Sequence, residues 1–216
     1  MDIAQAIRER KSIRAFKPEP VPRGIIEQVL KLAVCAPSAI NLQPCEFVVV
    51  AGEEKERLSR TLLKAYKEKQ ISCKPATVKP LPEVYRQRGI ANNKAMEPYV
   101  APTGLPFKQF TNEGSFSFYG APVAILLCID DCFSRAHLVD IGISLGYLLL
   151  SAHYYGLSTC PIGLIAAYQD EIKEALNIPE NKRVVNGVAL GYADRDNPVT
   201  GFKSAREDLD KLVRWV

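Results

Sequence analysis

Nine consecutive residues, Ala121-Pro-Val-Ala-Ile-Leu-Leu-Cys-Ile129, carry no charge. A run this short and this apolar reads as a strand covered on both faces, because a half-exposed strand would alternate apolar with polar. Glu46 to Ala51 holds a second such run, Phe47-Val-Val-Val50, bounded by Pro44 and Gly52. The chain therefore needs amphipathic helices to cover them, and it supplies several. Asp2 can cap a short helix whose Ile3 and Ile7 share a face. Pro22 suits the first turn of a second helix that turns Ile25, Ile26, Val29, Leu30, Leu32 and Ala33 inward and stops at Pro37. An amphipathic stretch over Glu53–Gln70 follows the first strand. A long helix over Arg135–Tyr155 carries Ile141, Leu145, Leu148, Leu149 and Ala152 as a stripe, and Gly156 ends it. After a short segment through Cys160 and Pro161 come a helix at Gln169–Leu176, a strand at Arg183–Tyr192 and an arm closing with a short helix around Arg206–Val213. Strands and helices alternate with no repeat and no linker rich in Gly and Ser, so residues 1–216 read as a single domain of α/β or α+β class.

One stretch resists this pattern. From Ser72 to Gly114 the periodicity is broken by Pro75, Pro80, Pro82, Pro98, Pro102 and Pro106, with one helix around Glu83–Met96. It reads as an insertion, a lid, a binding loop or a disordered stretch, with Tyr85, Tyr99, Phe107 and Phe110 available to cover a ligand and a solvent loop or extra dimer contact as the ordinary alternative.

Composition narrows the classes of function. A net charge of +4 over 216 residues argues for neither nucleic acid nor a membrane surface, so any anion site must be local. The start lacks the order of a signal peptide, and the apolar runs 121–129 and 141–152 fall short of the ~20 residues of a membrane helix. A cytoplasmic protein is expected. Six cysteines, Cys35, Cys45, Cys73, Cys128, Cys132 and Cys160, form no Cys-x-x-Cys pair and read as reduced thiols. With two histidines, His137 and His153, and no cluster at ligand spacing, no metal is expected.

Four places could carry chemistry. Arg10, Lys11, Ser12 and Arg14 crowd three cations and a hydroxyl into five residues, and in an extended backbone Arg10, Ser12 and Arg14 project to one side. Guanidinium forks and a hydroxyl suit a phosphate. Ala36-Pro-Ser-Ala-Ile-Asn-Leu-Gln-Pro44 bunches Ser38, Asn41 and Gln43, whose amides and hydroxyl match the edge of a planar heterocycle. In Gly156–Leu164, Gly163 permits close backbone approach to a ligand and Pro161 stiffens the chain beside it. Lys203 and Arg206 on the closing arm are further cations for the same phosphate. Each has an ordinary alternative: a solvated basic run, a capped turn, a plain loop, a solvated arm. No nucleophile stands beside a base, and no Gly-x-Gly-x-x-Gly follows a strand, so neither a covalent mechanism nor a Rossmann fold is expected.

Taken in order along the chain, these motifs resemble the flavin-dependent nitroreductase family. Arg10-Lys-Ser-Ile-Arg-Ala-Phe16 matches its opening motif; Ala36 to Pro44 before Phe47-Val-Val-Val50 matches its second. Tyr119-Gly-Ala-Pro-Val123, Asp140-Ile-Gly, Gly156-Leu and Gly191-Tyr-Ala look like its landmarks. The resemblance implies an α+β sandwich, a mainly antiparallel sheet surrounded by helices, in an intertwined homodimer with FMN at the subunit interface. Arg10, Lys11, Ser12 and Arg14, with Lys203 and Arg206, would hold the phosphate and ribityl chain. Pro37, Ser38, Ala39, Asn41 and Gln43 would belong to the cofactor set, with Pro37, Ser38 and Asn41 coming from the partner. Pro161, Ile162, Gly163 and Leu164 would line the ring. Cys45 stands where many members have Trp, and Gly163 where they often have Glu. The implied activity is hydride transfer from NADH or NADPH through FMN to a nitroaromatic, quinone or related small electrophile by a ping-pong mechanism, with no catalytic side chain. Alternatives are a dehalogenase, an enone reductase or a flavin-fragmenting enzyme of the same fold, and a flavin-binding protein without turnover.

Overall fold

The computed structural model describes residues 2–72, 77 and 79–216; Cys73 and Pro75 lie outside the described residues. At its centre is a four-stranded antiparallel sheet in the order β1-β2-β4-β3, formed by β1 (Glu46–Ala51), β2 (Val123–Asp130), β3 (Ser158–Ile162) and β4 (Lys182–Gly191). The uncharged run is the middle of this sheet: Val123 to Ile129 are buried without exception. One face of it meets Leu58, Leu62, Phe116, Tyr168 and Ile172, and the other meets Ile26, Val29, Ile141, Leu148 and Leu157. Alternate residues of β2 divide between these two clusters, Leu126 and Cys128 in the first and Ile125 and Leu127 in the second, as a period of two requires.

The eight α-helices among the described residues follow from the sequence pattern with instructive departures. Helix α1 (Ile3–Glu9) has Asp2 as its cap, whose Oδ1 accepts from Gln5 N at 2.7 Å. Its Ile3 and Ile7 do share a face, but that face is open, 71% and 59% exposed. Helix α2 (Arg23–Ala33) buries Ile26, Val29 and Ala33, yet Leu32 points outward at 41% exposure. Helix α3 (Gly52–Lys69) follows β1 directly. The stretch read as an insertion holds two helices, not one: α4 (Glu83–Val100) and α5 (Phe107–Phe116). Pro98 lies in the last turn of α4 and Pro106 caps α5, so two of the prolines that break the pattern sit near helix ends. Helix α6 (Leu138–Tyr154) runs under the sheet after a 3-10 turn over Arg135–His137, and α7 (Gln169–Leu176) covers the opposite face. Counted with its 3-10 lead-in, Arg135–Tyr154 does reach the length and apolarity of a membrane span, contrary to the estimate from the apolar run alone; its Ile141, Leu148 and Ala152 pack into the core. The short α8 (Leu209–Leu212) closes the arm.

Segment 158–162 is a strand, not the plain connection expected. Pro161 and Gly156 weaken the local signal, but β3 pairs with β4 from Ser158↔Gly191 to Ile162↔Gly187. On its other edge β3 meets the basic motif: Ser12 bridges Thr159 in parallel, and Ile13 N donates to Thr159 O at 2.9 Å. Two of the sequence landmarks touch here as well. A Cβ on Gly191 would come within 2.6 Å of Pro122 Cδ, so the approach of Pro122 to β4 depends on glycine.

Candidate functional site

The bridge to Thr159 holds residues 10–14 extended, which sets Arg10, Ser12 and Arg14 on one side of the segment and Ile13, 5% exposed, in the core. All three expected side chains converge on Cys160 of β3. Burial pushes the Cys160 thiol up, while Arg14 and Arg10 pull it back and Ser12 hydrogen-bonds it. Arg14 Nη1 also reaches Ser12 O at 3.4 Å, and its guanidinium lies 6.0 Å from the Tyr119 ring centre.

The closing arm is folded back onto this motif. Lys203 Nζ donates to Arg8 O at 2.7 Å, and Lys11 Nζ donates to Thr200 O. The result is a crowd of cations. Arg10 is held below the usual arginine range by burial and then by repulsion from Arg206; Lys11 is held below the lysine range by burial and then by Lys203. Charges gathered at this cost in mutual repulsion are relieved by an anion.

Arg10 Nη1 is buried with no hydrogen-bond partner. A cavity of about 380 Å³ opens beside it, and two more buried polar atoms without partners, His153 Nε2 and Thr200 Oγ1, belong to residues of its lining. Glu9 Oε2 is 3.8 Å from His153 Nε2, too far for a hydrogen bond. Of the expected cation set, Arg10 and Lys11 line this cavity. Sequence reasoning missed Thr200, for an isolated Thr in an arm carries no pattern.

The Pro-bounded loop sits elsewhere. Its Ser38 Oγ accepts from Gln43 N at 2.9 Å, and the Ala39 N–H is held by Asp140 Oδ1 at 3.2 Å, near the start of α6. Asp140, 6% exposed, is steadied in turn by His137 Nδ1 at 2.8 Å, so His137 has a structural task. The basic motif meets the other end of α6, where His153 lines the cavity. At about 1.5 Å per residue these two ends are about 20 Å apart. One chain therefore does not bring Ser38 and Asn41 onto the Arg10 cluster. The loop is also strained: Ile40, Asn41 and Gln43 have φ of 42°, 59° and 49°. Ile40 is β-branched and 89% exposed, a conformation such residues avoid at about 1–3 kcal/mol.

Pro161, Ile162, Gly163 and Leu164 lie where β3 runs into a 3-10 turn, with Gly163 exposed at the rim and Ile162 N held by Asn186 Oδ1 at 3.1 Å. A Cβ on Gly163 would meet nothing nearer than Asn186 Nδ2 at 4.0 Å, so packing within the chain does not require glycine there. Cys45 is half-buried near Ser144 of α6, and burial pushes its thiol up to about 12.

The family model for the nitroreductase family matches residues 7–192. A 4-nitrobenzoate reductase of Pseudomonas putida is 31% identical over 211 residues, 95% of this chain and 92% of that one. Nitroreductase NfnB of Mycolicibacterium smegmatis is 31% identical over 223 residues, 100% of this chain and 94% of the relative. The crystal structure of FMN-dependent nitroreductase NfnB from Mycobacterium smegmatis in complex with NADPH superposes with a TM-score of 0.89 at 28% identity, covering 100% of both chains. With its antiparallel sheet, its helices on both faces and its basic motif against β3 all inside the matched span, this chain belongs to the nitroreductase family.

Proposed function

We propose that the chain is an FMN-dependent NAD(P)H oxidoreductase that reduces nitroaromatics, quinones or related small electrophiles, and that residues 1–216 work as one FMN-binding domain. The observation that carries this reading is the half-buried Arg10 guanidinium, whose Nη1 is buried without a partner and which is repelled by Arg206 in a fold shared with FMN-dependent enzymes. That arrangement fits a terminal phosphate. Arg10, Lys11, Ser12, Arg14, Lys203 and Arg206 would bind it and the adjoining polyol chain; Pro161, Ile162, Gly163 and Leu164 would border the ring. Bound FMN would supply the redox chemistry, accepting hydride from NADH or NADPH and giving it up to the acceptor. The chain itself holds and orients, and the shared site would turn over by a ping-pong sequence.

Pro37, Ser38 and Asn41 join the same site from the partner subunit of a homodimer, and Ala39 and Gln43 of the same loop complete the cofactor set. Two observations support that: the loop lies at the wrong end of α6 to serve its own chain, and its exposed, strained Ile40 awaits something to pack against. An apolar groove of about 440 Å³ between α1, α2 and α6, with Ile3, Leu32, Tyr147 and Tyr154 among its lining, offers the contact surface. The five described cysteines are free thiols, which supports the cytoplasm as the working compartment. The test is direct. The purified protein should be yellow, release FMN on denaturation and oxidise NADPH or NADH faster when 4-nitrobenzoate or a quinone is added. A colourless protein that takes up no FMN on reconstitution refutes the reading.

A further inference from the structure

Helix α4 has no task in the chemistry above, yet it is seated on the arm that carries Lys203 and Arg206. Its second half is bound by apolar contact. Met96 and Val100 are buried with Val199 and Phe202, and the Tyr99 and Phe202 rings lie 5.7 Å apart. Its first half reaches further along the arm through charge. Arg88 Nε donates to Glu207 Oε2 at 2.8 Å, and Nη2 lies 2.7 Å from the same oxygen. The Arg88 guanidinium also sits 5.4 Å from the Tyr85 ring centre. Glu207 Oε1 accepts from Lys211 Nζ at 3.2 Å on the arm itself.

Lys203 and Arg206 lie between the two anchor points. Arg206 Nη1 donates to Ser204 O at 3.2 Å and Ala205 O at 2.9 Å, so its direction is tied to the course of the backbone just before Glu207. Whatever holds residue 207 thereby aims residue 206. We propose that Arg88 and Glu207 are positioning residues for the cofactor phosphate: the pair fastens α4 to the arm and keeps Arg206 turned toward Arg10 and Lys203 toward Lys11, so that α4 is a clasp on the phosphate end of the site. This rests on the FMN reading above.

The test separates the two. Wild-type protein is first loaded with FMN, and failure at that stage refutes the FMN reading before any variant is made. Release of FMN from the loaded protein is then followed by the rise of flavin fluorescence. Arg88→Ala and Glu207→Gln should each speed release about threefold to fivefold, the range of a partly exposed ion pair. The reversed pair, Arg88→Glu with Glu207→Arg, should recover at least half of that change on a logarithmic scale. Riboflavin, which lacks the phosphate, should bind wild type and variants alike. Release rates within about 1.5-fold of wild type in both single variants, no recovery in the reversed pair, or a parallel loss of riboflavin binding would each overturn the proposal.

Discussion

Arg10 shows how much of this protein turns on single side chains. Its guanidinium is half-buried, repelled by Arg206 and short of one partner. A protein with this arrangement loses little by folding around an anion and much by going without one. Arg10→Ala should therefore raise the Kd for FMN about tenfold to a hundredfold, the loss of one charge-assisted contact worth about 1.5–3 kcal/mol, while leaving the flavin absorption bands in place. Equilibrium titration followed at the flavin bands reads both quantities. The cysteines allow a second test at this scale. Burial pushes Cys45 up to about 12 and Cys128 up to about 11, and it also raises Cys160. Because the thiolate is the reactive form and the folded pKa lies above the free value, these thiols stay protonated until well above pH 8. Native protein treated with iodoacetamide at pH 8 should carry no label on Cys45, Cys128 or Cys160 by peptide mass spectrometry, and full label once unfolded.

Among the elements, β3 and α5 departed furthest from their local signals. A five-residue strand containing Pro161 has little propensity of its own. It exists because β4 pairs with it on one edge and the Ser12 segment meets it on the other. Its neighbour β4 is closely approached in turn, where Gly191, the partner of Ser158, clears Pro122. Gly191→Ala should force the two apart and destabilise the protein by about 1–3 kcal/mol, with a lower Tm in a thermal melt. The loop before β1 stores strain of the opposite kind. Ile40→Gly removes the Cβ that left-handed φ penalises, so it should stabilise the apoprotein by about 1 kcal/mol or less, balanced in part by the greater freedom of glycine when unfolded. Chemical denaturation checks the sign.

For the whole molecule, the open apolar face is the decisive feature. Ile3, Leu32, Tyr147 and Tyr154 are all exposed around one groove, a concentration that marks an interaction surface. A homodimer burying more than about 2,000 Å² in total would account for it. Sedimentation should show a dimer that persists at nanomolar concentration with FMN bound. Cys35, which lines the same groove, should then be shielded from alkylation in the dimer and labelled on dissociation. A folded, FMN-loaded monomer with reactive Cys35 would reject this interface.

Much of this was legible along the chain, because the relevant physics is local. Uncharged β-branched runs marked β1 and β2 as strands, periodic apolar spacing marked α3, α6 and α7, and the crowded cations at Arg10 to Arg14 marked a candidate anion site. Burial on both faces held for β2 but not for β1, which lies at the sheet edge, buries Val50 and leaves Val49 40% exposed. An extended backbone alone put Arg10, Ser12 and Arg14 on one side. What the chain could not reveal depends on contacts between residues far apart in sequence. Leu32 and Ile7 obey a helical period, but period says only which side chains share a face, not which neighbour covers it. Pairing with β4 turned Pro161 into part of a strand, and Phe202 and Glu207 gave α4 a seat. The sequence by itself determined the layers, the buried strand β2 and the chemical character of the candidate site. Tertiary structure alone decided which cations meet and which loop faces away, since those depend on long-range packing that no local pattern encodes.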